Sequence, residues 1–84
     1  MNETEQKIIK IIAETLQIDK NKINLASLFV DDLGADSLDE VEIMLALEAA
    51  FECTISDEEA GKLSVVADVV NCIKKKLGLR WGFP

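Results

Sequence analysis

The 84 residues make one small domain, and with 49% hydrophobic side chains the chain has enough apolar material for a packed core. Its 16 acids against 9 bases give a net charge of −7, which disfavours nucleic acid and anionic lipid as partners. Histidine is absent, which excludes imidazole catalysis and a histidine–cysteine metal site. No apolar run reaches membrane-spanning length and no signal-peptide core is visible, so a soluble, cytoplasmic, monomeric protein is expected. Two cysteines, Cys53 and Cys72, are too few for a disulfide framework and are expected as buried, reduced thiols.

In chain order, Asn2 or Thr4 can cap a first helix over about residues 3–17. Ile8, Ile9, Ile12 and Leu16 recur on one face of it. From Gln17 to Gly34 neither the helical nor the strand period is sustained. This reads as a long loop that still carries Ile18, Ile23, Leu25, Leu28, Phe29, Val30 and Leu33, with a short helical turn expected near Leu25–Phe29.

The second helix begins at Asp36–Ser37 and runs to about Phe51 or Glu52. Asp36 with Asp39, or Ser37 with Glu40, would make a capping box, and the sequence does not choose between them. On a helical wheel Ile43, Met44, Leu47, Ala50 and Phe51 share one face. Leu38, Val41 and Leu45 form another, flanked by Glu42, Glu48 and Glu52. That second face is either covered by the loop or by helix 1, or it is a protein-docking site.

Ser56, with Glu59 three residues on, signals a short helix through Asp57–Ala60 that stops at Gly61. Ser64 is placed to cap a last helix over about Val65–Leu77, with Val65, Val66, Val69, Val70, Ile73 and Leu77 on its inner face. Gly78 is placed as its terminator, and residues 78–84 then form a tail expected to be flexible.

Charge is concentrated in the middle of the chain. Residues 31–59 hold 11 acids and no base, whereas residues 1–30 balance and residues 60–84 are net positive. Such a block favours basic protein surfaces as partners. Catalysis is hard to assemble from these residues. The carboxylates form a surface run, not a cleft, and Ser37 has no histidine and no nearby lysine to activate it. A calcium loop starting at Asp19 fails, because Asn24 and Val30 stand where glycine and glutamate are needed. Ser37 is either a simple cap or, at a helix N-terminus, an acceptor for a phosphoryl-linked group.

The run Asp32-Leu33-Gly34-Ala35-Asp36-Ser37-Leu38-Asp39, followed by Val41-Glu42-Ile43 and Leu47-Glu48, resembles the acyl carrier protein family, and the helix order extends the likeness over about residues 3–77. The resemblance implies an all-α, four-helix bundle over residues 1–77, with a long first loop and a short third helix. It implies that Ser37 carries 4′-phosphopantetheine, donated by coenzyme A through a holo-synthase, so that the reactive thiol belongs to the cofactor and the chain is not an enzyme. It implies partner contacts at Asp36, Leu38, Asp39, Val41, Glu42, Leu45 and Glu48, meeting basic patches on fatty-acid synthesis enzymes. It places an acyl pocket near Phe29, Met44, Leu47, Ile55, Ala60 and Leu63. Three features depart from the family pattern: Ser56 where many relatives have proline, Gly61 where an acid is common, and the Trp81–Pro84 tail. A specialised carrier of polyketide or aminoacyl groups, and a non-carrier acidic adaptor, are the alternative readings.

Overall fold

A computed structural model describes residues 3–80, with side chains through Gly78. Helix α1 spans Glu3–Leu16, α2 Ser37–Phe51, α3 Asp57–Ala60 and α4 Val66–Arg80. The three long helices pack around one core. Ile8, Ile9, Ile12 and Ala13 enter it from α1, Ile43, Leu47 and Phe51 from α2, and Val66, Val69, Val70 and Ile73 from α4. These are the inner faces that helical periodicity predicts. Burying each such side chain is worth about 1.5–3 kcal/mol, which offsets the low helix propensity of the Ile- and Val-rich α1 and α4. Lys74 Nζ bonds Glu5 Oε1 at 3.0 Å between α4 and α1, and Lys7 Nζ stands 4.9 Å from the centre of the Phe51 ring of α2.

The long loop differs from expectation. No helix forms at Leu25–Phe29, only single turns closed by Ser27 N–H on the Asn24 carbonyl and Asp32 N–H on the Leu28 carbonyl; a 3-10 helix occupies Lys20–Lys22, capped by the Asp19 carboxylate. The segment after it is a series of turns with one bridge, Leu28 to Val65, and it serves α4. Leu25 and Ser27 carbonyls accept from Ala67 and Val66 N–H at 2.9 and 3.0 Å, and Phe29 N–H donates to the Ser64 carbonyl at 3.1 Å. The loop thus supplies acceptors to donors that the first turn of a helix leaves unpaired. Asp68 completes the job, its carboxylate accepting from Ser64 and Val65 N–H.

Other boundaries shift slightly. Thr4 lies inside α1, and the alternative cap Asn2 lies outside the described residues. Helix α4 continues through Gly78 to Arg80, so Gly78 is not its terminator and the boundary expected after Leu77 falls within the helix. The Trp81–Pro84 segment lies outside the described residues. Helix α3 forms as expected, with Ser56 and Glu59 in a capping box, but none of its own residues is buried.

Candidate functional site

The backbone is pinned just ahead of α2. Gly34 takes φ +69°, the left-handed region that glycine tolerates, and its N–H bonds the Val30 carbonyl at 3.1 Å. The Asp32 carboxylate holds the same turn by accepting from Leu28 N–H at 2.8 Å. Ala35 N–H donates to the Phe29 carbonyl at 2.8 Å, and both side chains are in the core.

The capping box is the Asp36 one. Asp39 N–H donates to Asp36 Oδ1 at 2.8 Å, and Asp36 N–H donates back to Asp39 Oδ2 at 3.1 Å. Ser37 is therefore not the cap but the first helical residue. It is exposed, and among the described residues nothing hydrogen-bonds its hydroxyl. The first-turn N–H of Leu38 and the positive end of the helix dipole lie beside it. A group joined through phosphate fits this position: the hydroxyl is free to be substituted, and the phosphate oxygens would face helix N–H groups.

Beside Ser37 lies a cavity of about 310 Å³, with Ser37 itself on the wall. Five of the six expected pocket residues line it: Phe29, Met44, Ile55, Ala60 and Leu63. Leu47 does not; it is fully buried in the central core. Val41, Ile43, Leu45 and Gly61 line the cavity without having been expected there, and Glu40, Glu48 and Asp57 add carboxylates to its wall. The helical wheel divides α2 into two faces, and the cavity straddles their boundary. Reading either face alone misses it.

The outer face of α2 is uncovered. Leu38, Val41 and Leu45 are 65%, 54% and 60% exposed, so neither the loop nor α1 covers them. Asp36 and Glu42 stand beside them in solvent, while Asp39 is half-buried within the capping box. Glu48 departs from an exposed docking position. It is half-buried, and its Oε2 accepts from the backbone N–H of Ile55 at 2.7 Å. Val30, 61% exposed on the loop, is a further apolar surface residue that the sequence pattern did not single out.

Helix α3 is tied to α4 by an ion pair. Lys76 Nζ sits 2.9 Å from Glu59 Oε2, and the Glu59 carboxylate also accepts from Ser56 N–H. The hydrogen bond from Lys76, reinforced by that from Ser56, lowers the Glu59 pKa to about 2. Cys72 approaches the same carboxylate at 3.9 Å, and burial, followed by the charge of Glu59, pushes its thiol pKa up. That leaves it a poor nucleophile at neutral pH. Neither Cys53 nor Cys72 is in a disulfide, and both are half-buried. Among the described residues no cluster of metal-ligating side chains occurs, and no helix is long and apolar enough to cross a membrane.

Comparison with known proteins agrees with this geometry. A family model described as a phosphopantetheine attachment site matches residues 6–73. A solved structure from Mycobacterium tuberculosis, provisionally described as an acyl carrier protein, superposes with a TM-score of 0.83 at 32% sequence identity, covering 87% of this chain and 97% of that one. The family match takes in the loop that docks on α4 and the turn that leads into α2. The domain is a site of covalent 4′-phosphopantetheine attachment, and the chain belongs to the acyl carrier protein family.

Proposed function

We propose that this protein carries acyl intermediates between fatty-acid synthesis enzymes, with Ser37 as the attachment residue. The observation that supports this most directly is the placing of Ser37: an exposed, unbonded hydroxyl at the first position of α2, on the wall of an apolar cavity. Loading joins Ser37 Oγ to the phosphorus of the phosphopantetheine half of coenzyme A, with loss of a proton and of adenosine 3′,5′-bisphosphate. When bound, the arm supplies a terminal thiol that holds an acyl group as a thioester. The chain's own residues shelter the cargo and present it; they do not catalyse.

The cavity supplies the shelter. Its volume of about 310 Å³ is about twice the 150 Å³ that accommodates a benzene ring in an apolar protein cavity. By that measure it has room for an acyl segment of about ten carbons. The α2 face supplies presentation. Leu38, Val41 and Leu45, rimmed by Asp36, Asp39 and Glu42, offer an apolar centre with a negative edge to the holo-synthase and to partners with Lys and Arg patches. Rim charges of this kind set the on-rate and its salt dependence, and they leave the complex weak enough for the carrier to move on.

Intact mass after incubation with coenzyme A and a broad-specificity holo-synthase tests the reading. The wild-type chain is expected to gain one phosphopantetheine and Ser37→Ala none. An unmodified wild type would sink the carrier reading and leave an acidic adaptor in its place. Glu42→Lys is expected to slow association with the holo-synthase severalfold at low salt and to flatten its salt dependence. An unchanged salt profile would remove Glu42 from the docking face.

A further inference from the structure

We infer that Glu48 is a positioning residue for the acyl cavity: it latches the α2–α3 connection and so fixes the cavity's movable wall. This rests on the carrier reading above.

Three backbone donors of that connection end on this one residue. The Glu48 carbonyl accepts from Glu52 N–H and, at 3.2 Å, from Cys53 N–H. Its side chain reaches further and accepts from Ile55 N–H at 2.7 Å. A bond of this length from an amide to a carboxylate is of the stronger, charge-assisted kind. It also lies where water is partly excluded, since Glu48 is half-buried and Ile55 is only 7% exposed. Glu48 and Ile55 both line the cavity.

What the latch holds is only partly buried: Cys53, Ala60 and Leu63 pack against the core from its edge. Helix α3 is four residues long, buries none of them, and contributes Asp57 and Ala60 to the cavity wall. On its far side the Glu59–Lys76 pair ties it to α4. On its near side it is Ile55, held by Glu48, that seats the chain in the core. Releasing Ile55 N–H frees the near edge of the cavity while the buried faces of α1, α2 and α4 stay packed.

An amide at position 48 keeps an acceptor oxygen and loses the charge, whereas alanine loses both. The pair Glu48→Gln and Glu48→Ala therefore separates a latch from a charged docking contact. In the full-length protein without its arm, Glu48→Ala is expected to speed amide hydrogen exchange at Ile55 by on the order of tenfold, with Glu48→Gln, which keeps a neutral acceptor, between Glu48→Ala and wild type. In the acylated protein, the rate at which hydroxylamine cleaves the thioester reports shelter. An eight-carbon chain is expected to reach the cavity and an acetyl group is not. Glu48→Ala is expected to raise the cleavage rate of the eight-carbon ester severalfold and leave the acetyl ester unchanged, with Glu48→Gln raising the eight-carbon rate less. Equal behaviour of the two variants, or an effect independent of chain length, overturns the inference. If the wild type takes up no arm, the carrier reading fails and the acyl role of Glu48 fails with it. The exchange measurement still decides the latch in that case, because it needs no cargo.

Discussion

Gly34 turns the chain at φ +69°, and nothing stands within 4 Å of where a Cβ would be built. A side chain there meets open space, so substitution costs backbone strain alone. Gly34→Ala is expected to lower stability by about 1 kcal/mol, seen as a lower urea midpoint with an unchanged slope. A loss beyond about 3 kcal/mol would mean that the turn depends on contacts as well as on its angle. Single residues were legible in the sequence to the extent that their roles are local. Gly34 and the capping signals can be read from neighbours three residues away. The choice between Asp36 and Ser37 cannot, since each has an acid at the right spacing. It is made by Ala35 and Phe29, whose burial and 2.8 Å hydrogen bond fix where the helix begins. Glu48 was hidden for the same kind of reason. Its partner Ile55 is seven residues on, across a turn, and on a helical wheel it is one more acid on an acidic face.

Among the elements, the long helices follow from apolar periodicity because one face of each is simply buried. The first loop does not, because its carbonyls serve the N–H groups of α4 some forty residues away, and no local pattern records that debt. Helix α3 lies between these cases: its capping box is written in the sequence, but its tether to α4 is not. That tether gives a pH dependence of definite sign. The folded-state pKa of Glu59 is lowered from an ordinary 4.5 to about 2. The ionised form therefore favours the docked helix, and its contribution is complete above the unfolded value. As pH falls from 4.5 toward 2, the contribution is lost. Amide protection in α3, taken relative to the intrinsic exchange rate at each pH, is expected to fall across that window ahead of protection in α1. Lys76→Ala should raise neutral-pH exchange in α3 and remove much of its acid dependence. If the variant keeps the wild-type acid response, other carboxylates control the docking of α3.

At the scale of the molecule, the two halves of the acidic problem can be weighed against each other. Attraction comes from three ion pairs among the described residues, Glu5–Lys74, Glu59–Lys76 and the highly exposed Glu58–Lys62. Surface pairs of this kind contribute little, because solvent screens them and holding two long side chains together costs entropy. Repulsion comes from the 11 acids between residues 31 and 59, a stretch that holds no base. The fold brings α2, α3 and the turn before α2 together around one cavity, which shortens the distances among these charges. Repulsion should win, so salt should stabilise this protein although it also weakens its ion pairs. Raising ionic strength from about 0.01 M to about 1 M shortens the screening length from about 30 Å to about 3 Å. Over that range Tm is expected to rise by several degrees. Replacing the exposed acids Asp31 and Glu42 by Asn and Gln should raise Tm at low salt and shrink the response to salt, because those charges would no longer need screening. A Tm that falls with salt would mean that the three pairs outweigh the block. The acidic α2 face would then cost the fold nothing, and its charge could not be read as stability given up for partner recognition.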